Sequence, residues 1–142
     1  MIKKIVWLPL MVALVLACTS RAQHSEVALP MVAAAAVPLY PPLARAANVQ
    51  GVVHLKITTD GHRVIATHVE DGHKLLAAAA DENARTWQFA THEATTFIVT
   101  YRYKLDPGLK GDPNNPTVLL RLPVEIEICR SPLVLDAAGT HK

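Results

Sequence analysis

Seven histidines, two cysteines and twelve carboxylates are the side chains of this 142-residue chain with chemistry to offer. His54, His62 and His68 crowd around an Asp60-Gly61 turn, and imidazoles this close in sequence raise the question of a metal site. Their spacing argues against one. No His-x-x-x-His or His-plus-Cys cluster occurs, and around a two-residue turn His54 and His68 project from opposite faces of a hairpin. Exposed histidines are the simpler reading, so no metal ligands are expected. Ser20, Ser25 and Ser131 lie outside the patterned centre of the chain, and no acid pair is placed for general acid/base work. Asp81 and Glu82 read as the solvated face of a helix, and no glycine-rich phosphate loop is present. Catalytic residues and cofactors are therefore expected to be none, and the chain is not expected to be an enzyme.

The N-terminal residues carry a different kind of chemistry. Lys3 and Lys4, an apolar run from Ile5 to Ala17 and then small residues give residues 1–22 the layout of a secretory signal. A run of this length falls short of the roughly 20 residues needed to cross a bilayer. Val15-Leu16-Ala17-Cys18 resembles a lipobox, which makes Cys18 a candidate lipidation site and the chain a candidate envelope lipoprotein. Ser20-Arg21-Ala22 offers the small-x-small alternative, which releases a soluble protein starting at Gln23. Either route leaves Cys129 without an intramolecular partner, and it reads as a small buried hydrophobe. The net charge of +2 is too small to indicate nucleic acid as a partner.

These residues must be positioned by a small core. Residues 23–38, with the run Ala33 to Ala36 and prolines at 30 and 38, read as a flexible tether. Pro41 opens a short helix with Leu43, Ala46 and Ala47 on its apolar side, ended by Asn48 to Gly51. Val53, Leu55 and Ile57 alternate with His54, Lys56 and Thr58 as in a half-buried strand, and Val64 to Glu70 returns antiparallel. The period then changes. Leu75, Leu76, Ala79, Ala80, Asn83, Ala84 and Trp87 fall near one stripe of a helix spanning Lys74 to Phe89. Thr96 to Leu105 is a third strand, with Phe97, Val99, Tyr101 and Tyr103 on one face. After the loop Asp106 to Pro116, Thr117 to Cys129 reads as a fourth strand with Pro123 at an edge or bulge. The fold class is α+β: a two-layer sandwich in which two helices pack on a small antiparallel sheet of three strands plus this fourth.

One order of residues is more specific than any single piece. Tyr40-Pro41-Pro42-Leu43-Ala44-Arg45-Ala46, Gly51 before an alternating strand, the Asp60-Gly61 turn, Gly72-His73-Lys74-Leu75-Leu76 and the closing Trp87-Gln88-Phe89 together resemble the C-terminal domain of the TonB family. Those domains are the periplasmic ends of energy transducers that serve outer-membrane transporters. The resemblance covers residues 39–105 and leaves 106–142 as a C-terminal extension. It implies a protein-binding domain of the periplasm or cell envelope, whose partner is an envelope protein such as the N-terminal segment of an outer-membrane transporter, with a role in transport. It also implies that Phe97, Val99, Tyr101 and Tyr103 belong to the edge strand that receives the partner by strand addition. The chain carries no long Pro-Glu/Pro-Lys spacer of a full transducer, which points to a stand-alone TonB-like domain. The alternative is a lipid-anchored structural or assembly module whose sheet edge is capped by its own fourth strand.

Overall fold

In the computed structural model, residues 28–109 and 116–133 are described; Cys18 and the expected signal segment 1–22 lie outside them. In chain order the elements are β1 (Val32–Ala34), α1 (Pro42–Ala46), β2 (Gly51–Thr59), β3 (Val64–Asp71), α2 (Lys74–Ala84), β4 (Gln88–Phe89), β5 (Thr95–Leu105), β6 (Thr117–Arg121) and β7 (Glu125–Arg130). The class is α+β, as the alternation of periods predicts. The sheet differs from the small antiparallel one expected: it has five strands in the order β3-β2-β5-β7-β6, and β1 pairs with β4 in a separate two-stranded sheet.

The core forms where period-2 faces meet the inward stripe of α2. Val53, Leu55 and Ile57 of β2, Phe97, Val99, Tyr101 and Tyr103 of β5, and Ile126 and Ile128 of β7 all bury their side chains with Leu76, Ala77, Ala80 and Ala84 of α2. The alanines let the helix backbone approach the sheet, and Trp87 just beyond it is 1% exposed against Tyr101 and Phe89. The helix ends ten residues after Lys74 and not at Phe89. Thr86 explains the stop: its hydroxyl donates to the Asn83 carbonyl and accepts from the Ala36 amide, while Gln88 and Phe89 are drawn into pairing with β1.

That pairing also corrects the tether. Residues 28–38 are folded onto the domain, with Pro30 and Pro38 buried, the Ala90 amide donating to the Met31 carbonyl, and the Asn83 side-chain amide donating to the Ala36 carbonyl at 2.8 Å. Asn83 is the junction of this region, since its oxygen also accepts from Trp87 Nε1 at 3.2 Å and from the Tyr101 hydroxyl at 3.0 Å. Asn83→Ala strands two buried donors, Trp87 Nε1 and the Tyr101 hydroxyl, and one part-buried carbonyl, and each unpaired buried group costs about 1–3 kcal/mol. A loss of about 2–4 kcal/mol in urea unfolding is expected, because relaxation recovers part of that sum. A shift below about 0.5 kcal/mol would show that solvent replaces the amide.

In α1 the buried side is Ala44 and Arg45, and Leu43, Ala46 and Ala47, expected to face inward, are exposed. Arg45 is drawn in because its Nε and Nη2 donate to the Ser131 carbonyl, at 3.2 and 3.0 Å. The β2–β3 turn is likewise longer than two residues. Asp60 Oδ1 accepts from the amides of His62 and Arg63, and Gly61 adopts φ +102° beneath the His92 carbonyl, where a Cβ would come within 2.4 Å of the oxygen. With this loop and the register shifts beside it, His68 pairs with Lys56 and His54 with Asp71. His54 and His68 therefore share one face of the hairpin, contrary to the expectation from a two-residue turn. Asp81, read as solvated, instead accepts from the Thr67 hydroxyl and from Arg85, which pins α2 to β3.

Candidate partner-binding edge

The strand expected to receive a partner is interior. β5 lies between β2 and β7 and pairs antiparallel with the whole length of β2, from Gly51↔Tyr103 to Thr59↔Thr95. On its other side β7 runs parallel to it, in register from Thr100↔Glu125 to Leu105↔Arg130. Thr117 to Cys129 is thus not one strand but a hairpin, with Pro123 in its turn, and β7 is inserted between β5 and β6. The reason lies in the side chains. In β7, Ile126 and Ile128 alternate with Glu125 and Glu127, matching a half-buried position, whereas β6 carries exposed leucines at 119 and 120.

Phe97, Val99, Tyr101 and Tyr103 point into the core and are 8, 0, 0 and 1% exposed. Their backbone groups also face inward along the sheet. The Thr100 amide donates to Val124 and the Asp106 amide to Arg130, so even-numbered positions of β5 face β7 and odd-numbered positions face β2. These four residues are therefore corrected from edge contacts to core. Burial pushes the hydroxyl pKa values of Tyr101 and Tyr103 well above the ordinary range, so both rings stay neutral. Tyr40, whose hydroxyl donates to the Val49 carbonyl and whose ring meets Tyr103 edge-on at 5.3 Å, is pushed up to about 12, chiefly by burial.

On the opposite face the capping hairpin is tied by charge. Arg102 pairs with Glu125, Lys104 with Glu127 at 3.0 Å, and Arg121 with Glu125 at 3.4 Å. The Arg102 hydrogen bond, more than the neighbouring cationic charges, holds the Glu125 carboxyl below its ordinary value of 4.5. A carboxyl lowered by folding contributes stability above its unfolded pKa and loses it as pH falls through the lower folded one. The amides of Arg102 and Lys104 should therefore lose protection earlier on acidification than those of the β2–β3 pair, and Glu125→Gln should abolish that difference. Identical acid profiles in wild type and mutant would show that the pair does not hold the hairpin.

Among the described residues, two edges and one gap remain along the main sheet. β3 is one edge, interrupted by register shifts and carrying Glu70, which pairs with Lys56. β6 is the other; its sequence Thr-Val-Leu-Leu-Arg has one charge, at its end. The gap lies beside residues 96–98, because the β7 register begins only at Thr100, and exposed Ile98 and Val124 flank it. Sequence reasoning misses the β6–β7 hairpin because Pro123 reads as an edge or bulge position within one strand. Among the described residues, no three His, Cys, Asp or Glu side chains converge as a metal set, and no helix is long and apolar enough to cross a membrane. No protein-family model matches this sequence, and no curated protein matches it.

Proposed function

We propose that this chain is a non-catalytic, protein-binding module of the cell envelope, TonB-like in plan, whose partner-receiving strand is filled by its own C-terminal hairpin. The reading places it in the periplasm, held at a membrane where Cys18 carries lipid, and assigns it a structural or assembly role. One observation carries the self-capped form: six consecutive register pairs of β7 on β5, over the stretch where the family resemblance implies an incoming peptide. A partner strand then has β6, an edge with a single charge at its end, as a landing site. The transport-coupled reading, strand addition at β5 itself, keeps a foothold in the open residues 96–98, which offer only a short landing site.

The test is hydrogen exchange on the full chain, with and without peptides from the N-terminal segments of outer-membrane transporters, followed by capture from solubilised envelope. The expected result is unchanged exchange at Thr100, Arg102 and Lys104, with any captured partner slowing amides of β6. Peptide-dependent slowing that starts at residues 96–98 and spreads along β5 as β7 amides speed up would replace self-capping by transporter binding.

A further inference from the structure

We propose that the outer side of the N-terminal segment, formed by Leu29, Met31, Val37, Leu39 and Leu43, is a surface that lies in the headgroup boundary of a lipid bilayer. The segment is apolar on both sides. Pro30, Pro38 and Tyr40 turn inward and are buried, while Leu29, Met31, Val37 and Leu39, at the positions between, turn outward at 50, 71, 65 and 69% exposure. Leu43 on α1, four residues after Leu39, is likewise exposed, at 64%. A strand facing water on one side normally alternates with polar residues. Here residues 28–44 contain no charged side chain, and Arg45, which follows, is turned inward onto the Ser131 carbonyl. Val37 and Leu39 also line a groove of about 170 Å³ with Ala79 of α2 and Thr86 just beyond the helix, and Glu82 and Asn83 supply its polar wall.

The sequence supplies the occupant. The strip begins eleven residues after Cys18 and the apolar run from Ile5 to Ala17. Fully extended, the connection from Cys18 spans at most roughly 36–40 Å, so a chain held by lipid at Cys18 keeps the strip close to the bilayer. A protein partner is oriented by polar groups at an interface rim, and this strip offers few of them. Insertion at a lipid surface is non-directional and needs only apolar area. The inference rests on the envelope location proposed above but not on strand addition.

A full-length Cys18→Ser/Cys129→Ser chain carrying one environment-sensitive dye, at Val37→Cys or Leu39→Cys, separates this surface from the acyl anchor. On vesicles of equimolar phosphatidylethanolamine and phosphatidylglycerol with a lipid-borne quencher, both labels should shift to the blue and be quenched. A label at Ile65→Cys on β3 should stay aqueous. Adding Met31→Ser and Leu43→Ser should weaken contact of the Val37 label by roughly tenfold for each side chain replaced, with far-UV dichroism unchanged. Aqueous emission from the Val37 and Leu39 labels on vesicles would overturn the proposal, whatever the fate of Cys18. So would a blue shift that needs no lipid and grows with protein concentration, since a second copy would then cover the strip. A wild-type chain found soluble on cell fractionation, with its mature N-terminus at Gln23, would end the anchor reading alone.

Discussion

Replacing Trp87 by alanine is expected to cost about 3–5 kcal/mol. The inward stripe of α2 is mostly alanine, so Trp87 supplies the bulk at that end of the core, 6.4 Å from Tyr101 and 6.2 Å from Phe89 between ring centroids. Its indole nitrogen is also the donor that orients Asn83, so the substitution opens a cavity and removes a buried hydrogen bond together. Domains of this size retain about 5–15 kcal/mol in all, which leaves the mutant marginal. Urea unfolding monitored by far-UV dichroism measures it. An unchanged midpoint would mean that Trp87 does not bridge helix and sheet, and the packing described for α2 would be wrong.

Ending the chain at Leu109 is expected to free one side of β5 and leave the other intact. Without β7, the amides of Thr100, Arg102 and Lys104 lose their acceptors, while those of Val99, Tyr101 and Tyr103 keep β2. Exchange at the first three should rise from near-global protection to nearly that of a solvated amide. The truncation also uncovers Tyr101 and Tyr103, which lie beside Ile126 and Ile128 in the sheet, and removes the Ser131 carbonyl that holds Arg45. The shortened chain should self-associate through its new edge, measurable by sedimentation. Protection that persists at Thr100, Arg102 and Lys104 in a monomeric truncated chain would show that β7 does not cap this strand.

The parts of the fold legible in the sequence are those in which one local pattern decides the outcome. Val53, Leu55 and Ile57, and likewise Phe97, Val99, Tyr101 and Tyr103, alternate strictly, and their common buried face follows from strand geometry alone. The neighbour of each strand is not local information. Whether residues 117–130 lie beside β5 as one strand or fold back as two depends on how Ile126 and Ile128 compete with Val118 and Leu120 for burial, a comparison only the assembled core makes. The N-terminal segment was illegible for a related reason. Ala33 to Ala36 has no period of its own, and its pairing with Gln88 and Phe89 requires α2 to stop at Ala84. Which amides of β5 face outward is invisible to hydropathy as well, because side-chain direction fixes the face of a strand and not its hydrogen-bonding phase.

The insertion of β7 between β5 and β6 gives the domain a definite order of completion as the chain emerges. Every residue that pairs with β5 on the β2 side precedes it in the chain, whereas its other neighbour ends at Arg130, well after Leu105. A chain that emerges N-terminus first, whether from a ribosome or across a membrane, therefore delivers β2 and β5 before β7. For that interval a newly made chain holds a nearly finished core with one open flank, and closure is the last step by necessity of sequence order. Its vulnerability to nascent neighbours, and its opportunity to meet a strand other than its own, are therefore set by the speed at which its last residues arrive.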